Sequence, residues 1–374
     1  MKEETSVRQV VSGYIGAVFK QFDQPTKETK MKTKTRILAW LGLSALAAAS
    51  FSPTALAQQI KLRVGDSFPV GHYIPEVGAK YWMEEVTRAT NGAVTFEYYP
   101  AEQLGKAKDM LALTASGVVD VGYVGPGYVS DKLPLSSVAE LPGAFPNGCA
   151  GTLAYWKLVK EGGILATREF APNDVRVLFA FVLPPYQLYV TKAKLENLKS
   201  LEGLKLRPTS GGVELVSKLH AVPVQIAAPD LFESLSRGTI DGGLLPSSSV
   251  FAYKIETLVK NVIVGENFGS FAGTYTISEK RWKTLPANVQ KAMTDAAEVA
   301  VRRVCEYSDN NQVKDLDRLR HLGVTMVTLP AADKKTLADL LKDGGAVWAA
   351  NLDKRGKPGT EVLKAFTAAL QSAK

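Results

Sequence analysis

Short apolar strands alternate with helical segments along most of the chain, and this order limits the fold more than any other feature of the sequence. Apolar and polar residues alternate over residues 60–64, and a helical spacing of apolar residues follows over residues 74–90. Further strands are predicted at residues 94–98, 118–124, 175–183, 188–191, 204–207, 222–226 and 240–245, and further helices at residues 106–116, 211–219 and 229–237. This alternation predicts an α/β protein with mostly parallel sheets.

One long helix is predicted near the end of this pattern, over residues 288–322. Its apolar stripe consists of Val289, Met293, Ala296, Ala300 and Val304. A chain of 374 residues favours two domains with separate cores, and a helix of this length could run along both. Because the sequence contains no Pro/Ser-rich linker, we expect the domains to be joined by a pair of crossing strands.

Residues 31–57 have the three parts of a secretory signal peptide. Lys32, Lys34 and Arg36 precede an apolar stretch at residues 37–49, and a small-x-small site ends at Ala57. The apolar stretch is shorter than the roughly 20 residues that a membrane-spanning helix needs. We therefore expect cleavage near Ala57 and a soluble product in the periplasm. Met31 is a natural start for such a peptide, so residues 1–30 are predicted to be an upstream extension that is not part of the exported protein.

Composition and side-chain chemistry exclude several classes of function. The formal net charge is +8, but there is neither a block of like charge nor a basic stripe interleaved with aromatic residues, so we expect no nucleic-acid partner. The three histidines are scattered, and no motif indicates a metal site or a cofactor. Cys149 and Cys305 are far apart in the sequence; two buried thiols are the favoured reading, and a disulfide bond is the alternative in an exported protein.

Six segments of the mature chain occur in the order that is typical of one family of transport receptors. They are PAEQLG (100–105), GVVDVGY (117–123), ELPGAF (140–145), LKSLEGLKLRP (198–208), LHAVPVQIAAPDLFESLSRGTIDGGLLP (219–246) and ISEKRWKTLPANVQKAM (277–293). From about residue 60 to residue 324 the chain therefore resembles the solute-binding proteins of tripartite ATP-independent periplasmic (TRAP) transporters, of the dicarboxylate-binding, DctP-like type. One departure is His220, which stands where the family usually has glycine.

The resemblance implies a type II-like periplasmic-binding-protein fold with hinge strands and a long interdomain helix. On this basis, domain I is expected to comprise residues 58–184 and about 273–312, and domain II residues 185–272 and about 313–374. The resemblance also implies that a small organic acid is captured between the domains. The closed receptor would deliver this ligand to the small and large membrane subunits of a TRAP permease, and it would not be an enzyme.

Arg207 is the first candidate for the ligand contact. The family places an arginine at this position, where it grips the carboxylate of the ligand. A guanidinium group pairs with a carboxylate through two parallel hydrogen bonds, which a lysine cannot reproduce. Leu204 and Leu206 point to one side of the predicted strand, and Lys205 and Arg207 point to the other. The alternative reading, which the residues alone would favour, is a solvated arginine at the end of a strand.

Three other residues are candidate ligand contacts because of their positions in the predicted strands and loops. Gln187 stands where some members of the family carry a second arginine. Tyr128 follows a buried strand at its carboxyl end, where open α/β sheets bind ligands, and His72 follows the first strand in the same way. Structural roles are the alternative reading for all three: a polar residue on a crossing strand, a turn tyrosine packed on its own domain, and a histidine in a loop.

Asp241 resembles a family residue that fixes a turn, so a structural role is expected for it, and Gly243 is expected to let the backbone approach the ligand closely. Leu244 and Leu245 follow, at positions where many members of the family carry polar ligand contacts. If one leucine faces the cleft, it offers apolar surface; alternatively, both face the core, as in a strand that is buried on both faces. With Gln187 in place of a second cation, a second carboxylate would lack a partner. The sequence therefore predicts a monocarboxylate with an apolar or aromatic body as ligand.

Three other functions remain open from the sequence. A binding protein of an ATP-driven (ABC) importer would share the fold class and the export signal. An exported hydrolase is disfavoured, because the chain has no GxSxG elbow and no metal-binding motif. A sensor role for the same domain is compatible with every feature above.

Overall fold

The fold is described from a computed structural model, which describes residues 59–191 and 194–372. The predicted signal peptide and the predicted upstream extension therefore lie outside the described residues. All described residues belong to one compact unit, Ala57–Lys374. None of the helices within them combines the length and the apolar character that crossing a membrane requires.

Strands and helices alternate as the sequence predicts. The strands are β1 (Ile60–Gly65), β2 (Val94–Tyr99), β3 (Val121–Val124), β4 (Val175–Val182), β5 (Gln187–Val190), β6 (Lys205–Arg207), β7 (Val222–Pro223), β8 (Gly242–Leu245), β9 (Asn261–Ile263), β10 (Ala272–Ser278) and β11 (Thr325–Val327). The helices are α1 (Lys80–Ala89), α2 (Met110–Ala115), α3 (Gly148–Val159), α4 (Val213–Lys218), α5 (Leu231–Ser236), α6 (Ser247–Val250), α7 (Glu279–Thr284), α8 (Ala287–His321), α9 (Ala331–Leu341), α10 (Gly344–Asp353) and α11 (Gly359–Gln371).

Two sheets divide the described residues into two lobes. Lobe I is built on a five-stranded sheet with the order β2-β1-β3-β10-β4, and lobe II on a six-stranded sheet with the order β11-β9-β5-β8-β6-β7. In each sheet, one strand breaks the parallel pattern: β10 is antiparallel to β3 and β4, and β5 is antiparallel to β8 and β9. The α/β prediction is confirmed, but the sheets are mixed because each receives a strand that has just crossed from the other lobe.

The chain crosses between the lobes twice through short extended segments. The first crossing, residues 183–186, joins β4 of lobe I to β5 of lobe II. The second crossing, residues 264–271, returns from β9 to β10. Backbone hydrogen bonds bind the two crossings together, since Leu183 N–H donates to Phe271 O at 2.9 Å and Tyr186 N–H donates to Gly269 O at 2.8 Å. The expected pair of crossing strands is therefore present.

The long helix α8 spans 35 residues, as the apolar stripe predicts. It packs against α1, α3 and β4 of lobe I and reaches α6 of lobe II. Cys305 on α8 forms a disulfide bond with Cys149 at the start of α3, with a Cα–Cα distance of 4.7 Å. The favoured reading of two buried thiols was therefore wrong, because the packing of α3 on α8 brings together residues that lie 156 positions apart.

The three C-terminal helices contact both lobes. Asp333 on α9 accepts a hydrogen bond from Leu198 N–H of lobe II at 2.9 Å, whereas Trp348 on α10 donates its indole N–H to the Ser137 hydroxyl of lobe I at 2.8 Å. Helix α11 packs on α3. Residues 344–371 therefore lie on lobe I, although the sequence analysis placed residues 313–374 in domain II.

Candidate ligand-binding site

A cavity of about 570 Å³ opens where the two lobes face each other. Lobe I and the second crossing line one side of it, and the segments around β6 and β7 of lobe II line the other. Two residues predicted from the sequence, Tyr128 and Arg207, are part of this lining. The other lining residues are Glu102, Lys106, Ala107, Lys108, Gly127, Ser130, Pro208, Thr209, Ser210, Gln225, Ile226, Ala227, Asp230, Ser234 and Phe271.

Arg207 ends β6, and only 1% of its surface is exposed. Its Nε donates to the carbonyl of Ile226 at 2.9 Å, and its Nη1 donates to the carbonyl of Leu244 at 3.1 Å. These carbonyls hold the guanidinium group from one side. Gly243, which pairs with Arg207 in the sheet, leaves room for the arginine, since a Cβ at Gly243 would lie 3.3 Å from that of Arg207. Leu206 is buried in the core, so the two residues face as predicted.

No carboxylate among the described residues forms an ion pair with Arg207. Its two hydrogen bonds go to neutral carbonyl groups, and the group that it acts on across the cavity, the Tyr128 hydroxyl, is neutral as well. Buried arginines are rare unless an anion accompanies them, because a charge without a counter-ion loses its hydration when it is buried. The arrangement is therefore suited to an anion that enters the cavity.

Thr209 lies two residues beyond Arg207 and lines the same cavity. Its hydroxyl is buried and has no hydrogen-bond partner among the residues that the structure describes. Since buried hydroxyl groups usually have a partner, this one is available to a ligand. The sequence analysis missed Thr209, although it follows the arginine in the same segment.

Two aromatic rings lie on the lobe I side of the cavity, beside polar and charged residues. Tyr128 and Phe271 pack with their ring centroids 4.7 Å apart. The Tyr128 hydroxyl also accepts a hydrogen bond from Ala228 N–H of lobe II at 3.2 Å, so this side chain bridges the cleft. Burial raises the pKa of Tyr128, and the nearby Arg207 charge opposes the rise. Tyr128 is thus neutral at physiological pH and can donate a hydrogen bond.

Three more tyrosines, which the sequence analysis missed, lie around Tyr128 and Arg207. Tyr123 is on β3, Tyr186 is in the first crossing, and Tyr253 follows α6; all three are buried. Burial raises the pKa of each well above its ordinary value, and the Arg207 charge opposes the rise at Tyr186 and Tyr253. Within the described residues, none of these three hydroxyl groups forms a hydrogen bond. We call Tyr123, Tyr128, Tyr186 and Tyr253 the tyrosine cluster.

His72 is fully buried beside this cluster, at the junction of the lobes. Its Nδ1 accepts a hydrogen bond from Ile74 N–H at 3.2 Å, so the proton lies on Nε2, which faces the Ser249 hydroxyl of lobe II at 2.9 Å. The ring stacks on Phe68 with a centroid distance of 4.1 Å. Burial lowers the pKa of His72 to about 3, so the imidazole is neutral. His72 does not line the 570 Å³ cavity.

Gln187 lies outside the cavity lining, and backbone groups already occupy its amide. Its Nε2 donates to the carbonyls of Pro185 at 3.2 Å and Glu266 at 3.0 Å, and its Oε1 accepts from Gly265 N–H at 2.9 Å. Pro185 belongs to the first crossing, and Gly265 and Glu266 belong to the second. Gln187 therefore joins the two crossings, and a ligand could reach its amide only by breaking these bonds.

Leu244 and Leu245 also lie outside the cavity lining. Both are buried in the core, which is the alternative reading of a strand that is apolar on both faces. Leu244 contributes to the site only through its carbonyl, which holds Arg207. Gly243 contributes room rather than a ligand contact, and Asp241 accepts a hydrogen bond from Lys205 N–H at 2.9 Å, in the structural role expected for it.

Comparison with known proteins places this cleft in a family. Residues 72–345 match the family model described as bacterial extracellular solute-binding protein, family 7. Among curated relatives, the C4-dicarboxylate-binding periplasmic protein DctP of Rhodobacter capsulatus is 28% identical over 294 residues, which cover 72% of this chain and 81% of that protein.

Solved structures agree with the observed architecture. A TRAP solute-binding protein from Rhodoferax ferrireducens, in complex with copurified benzoate, superposes with a TM-score of 0.76 at 22% identity and covers 84% of this chain and 98% of that chain. A TRAP periplasmic solute-binding protein from Bordetella bronchiseptica, with bound (R)- and (S)-mandelate, gives a TM-score of 0.75 at 20% identity and covers 84% and 100%. The chain therefore belongs to the bacterial extracellular solute-binding proteins of family 7, and it has the two-domain fold of the TRAP solute-binding proteins.

Proposed function

We propose that this receptor binds a monocarboxylate with an aromatic or apolar body between its lobes and delivers it to the membrane subunits of a TRAP transporter. The carboxylate pairs with Arg207 and accepts a hydrogen bond from Thr209. The body of the ligand packs against Tyr128 and Phe271, the two aromatic residues that line the cavity. The receptor performs no catalysis; it acts by binding and release.

The observation that carries this proposal is the buried Arg207 without an acidic partner. Two backbone carbonyls orient the guanidinium group, and no acidic side chain among the described residues pairs with its other N–H donors. A carboxylate matches the spacing of those donors. Lys106 and Lys108 also line the cavity, but Lys106 is paired with Glu102 at 2.7 Å. Arg207 is therefore the anchor that best fits one carboxylate.

The aromatic wall argues for the rest of the ligand. Phenyl and phenol rings favour stacked or edge-to-face contacts with another ring and offer fewer hydrogen-bonding groups than a sugar acid needs. Benzoate and mandelate, the ligands of the two structural relatives, are both aromatic monocarboxylates. The predicted apolar contact with the ligand thus comes from aromatic rings and not from Leu244 or Leu245.

A ligand screen by thermal shift tests this proposal. The library contains benzoate, 3-hydroxybenzoate, mandelate, pyroglutamate, succinate and gluconate. A ligand at 100 times its dissociation constant stabilises a protein by about 2.7 kcal/mol, which gives a readable shift. We expect an aromatic monocarboxylate as the tightest ligand. A dicarboxylate or a sugar acid as the tightest ligand would refute the proposed class, and no shift with any carboxylate would refute the proposed site.

Export and lobe closure complete the proposed mechanism. Cleavage near Ala57 would release a periplasmic receptor that begins close to Gln58, and intact-mass analysis of periplasmic material checks this. The two crossings would act as the hinge between domains whose boundaries lie near residues 184 and 272. Small-angle scattering should then report a smaller radius of gyration with ligand than without it.

A further inference from the structure

A buried carboxyl group lies at the junction of the lobes, and the binding mode described above makes no use of it. Glu140 ends a short 3-10 turn of lobe I, Leu135–Glu140, and is fully buried. Its Oε2 accepts a hydrogen bond from the Ser210 hydroxyl of lobe II at 2.5 Å. Its Oε1 accepts a longer one, at 3.4 Å, from the N–H of Ala272, the first residue of β10 after the second crossing. The carboxyl group therefore contacts both lobes, next to the hinge.

Glycines let three segments approach Glu140 closely. A Cβ at Gly127 would lie 2.8 Å from Oε1 of Glu140, and a Cβ at Gly211 would lie 2.7 Å from its carbonyl carbon. A Cβ at Gly269, which also has a positive φ of 116°, would lie 2.9 Å from its carbonyl oxygen. Gly127 belongs to lobe I and Gly269 to the second crossing, whereas Gly211 belongs to lobe II, so the Gly211 side of this enclosure is present only while the lobes touch.

The titratable side chains that face Glu140 come from each neighbouring element. They are Arg207 on β6, Tyr128 after β3, Tyr155 on α3 and Tyr186 in the first crossing. Of these, Arg207 is charged at neutral pH, and it does not come within ion-pair distance of the carboxyl group. Burial raises the pKa of Glu140 to about 7, against the opposing effects of the Ser210 hydrogen bond and the Arg207 charge.

We propose that Glu140 takes up a proton when the cleft captures a carboxylate, so that the receptor binds the anion together with a proton. The inference rests on the proposed function, because it requires a carboxylate at Arg207. The proton comes from solvent and is held on a carboxyl oxygen of Glu140. The ligand stays an anion, Arg207 stays a cation, and no covalent bond of the ligand changes.

Two physical effects drive this uptake in the same direction. Closure of the lobes removes water from Glu140, which disfavours its charged form. The carboxylate of the ligand also neutralises the Arg207 charge, which otherwise stabilises the ionised Glu140. The carboxylate of the ligand also repels the ionised form of Glu140. Each effect raises the pKa of Glu140 in the complex above that in the open receptor.

The sign of the pH dependence follows from this rise. The complex holds the proton at pH values where the open receptor has lost it, between the ordinary glutamate pKa of 4.5 and a value of about 7. Between these two pH values, the affinity for the carboxylate ligand falls as pH rises, and Glu140 accounts for a fall of at most about tenfold per pH unit. His72 acts in the opposite direction, since its pKa of about 3 in the closed form lies below the ordinary 6.5, and closure therefore releases a proton below about pH 6.5.

Because Glu140 and His72 have opposite effects on proton uptake, the contribution of Glu140 is measured as the difference in proton uptake between wild type and E140Q. Calorimetry at pH 7.0 in phosphate and in Tris, whose ionisation enthalpies differ, counts the protons taken up per benzoate bound. We expect wild type to take up about half a proton to one proton more than E140Q. Equal proton counts for wild type and E140Q would overturn the inference.

Glu169 provides a matched control. It is also buried, and burial raises its pKa to about 7 as well. Its partners Leu135 and Ser136, however, both belong to lobe I, so its surroundings do not depend on closure. E169Q should therefore take up as many protons as wild type. If E169Q loses the uptake as E140Q does, the proton does not reside on Glu140.

A second variant keeps the test decisive if E140Q does not fold. S210A removes the hydrogen bond that favours the ionised form, so the pKa of Glu140 should rise further and proton uptake at pH 7.5 should exceed that of wild type. Unchanged or reduced uptake would contradict the inference. Binding of benzoate without uptake that depends on Glu140 defeats this inference alone, whereas no binding of any screened carboxylate defeats the proposed function as well.

Discussion

The two walls of the cleft differ in chemistry and in how they are supported. The lobe II wall presents Arg207 and Thr209, whose polar groups lack full sets of partners within the described residues. The lobe I wall presents the rings of Tyr128 and Phe271. Backbone carbonyls fix the charged wall from behind, whereas the aromatic wall is continuous with the hydrophobic core.

This difference separates two tasks that one surface could hardly perform together. A buried cation demands an anion but distinguishes poorly between anions of similar shape. An aromatic surface offers less binding free energy per contact, but the gain depends on the size and flatness of the ligand. We infer that the lobe II wall decides that a carboxylate binds and that the lobe I wall decides which one. Single substitutions in each wall test whether carboxylate binding and ligand selectivity are separate in this way.

The largest expected effect is at Arg207. Hydrogen bonds to a charged group contribute about 1.5–3 kcal/mol each, so R207A should weaken the binding of every carboxylate by about 100-fold or more. R207K should recover only part of this, because an ammonium group cannot form the paired contact. R237A, which changes an exposed arginine of the same lobe, is the control. If calorimetry finds near-normal affinity for R207A, Arg207 does not bind the carboxylate of the ligand.

Tyr128 comes next, and here the effect should depend on the ligand. Y128A removes the ring that contacts Phe271 and the bridge to Ala228. We expect a loss of about 1–2 kcal/mol for benzoate and a smaller loss for lactate, which has no ring. Y128F keeps the ring and should retain most of the preference for benzoate. Equal losses for both ligands would show that the aromatic wall does not select.

The sequence predicts the local parts of this molecule well. Alternating strands and helices, the long helix α8 and the orientation of Arg207 all depend on neighbours within a few residues. The approach of distant segments is not encoded in that way. The disulfide bond between Cys149 and Cys305, the antiparallel insertion of β10 and the return of α11 to lobe I each depend on tertiary packing.

Gln187 and His220 show the limit and the use of family spacing. Spacing places Gln187 where relatives carry an arginine, but it cannot reveal that Gly265 and Glu266 approach and occupy its amide. His220 stands where the family usually has glycine. The structure explains that preference, because His220 has a φ of 57°, in the left-handed region that glycine adopts most readily. Three members of the tyrosine cluster, Tyr123, Tyr186 and Tyr253, were missed because they come from three separate segments of the chain.

Substitution of Thr209 should weaken ligand binding without lowering the stability of the ligand-free protein. T209V keeps the shape of the side chain and removes a buried hydroxyl that has no partner among the described residues. Benzoate binding should weaken by about 0.5–1.5 kcal/mol, while the ligand-free protein should be as stable as wild type or more stable. T209S, which keeps a hydroxyl, should bind nearly as wild type does. A T209V variant with unchanged affinity would mean that the ligand does not reach this hydroxyl.

Gln187 should have the smallest effect on binding, because it belongs to neither wall. Q187M removes three hydrogen bonds, one to the first crossing and two to the second, and leaves Gly265 N–H and two carbonyls without this partner. Since these hydrogen bonds join the Gln187 side chain to the two crossings and to neither wall of the cleft, we expect them to persist in the open and closed forms alike. The free energy of unfolding should therefore fall by about 1–3 kcal/mol, while the dissociation constants of benzoate and succinate change by less than about threefold and keep their order. Denaturant unfolding and calorimetry measure the two quantities on the same preparation. A selective change for succinate would return Gln187 to the binding site, in the place where some relatives carry an arginine.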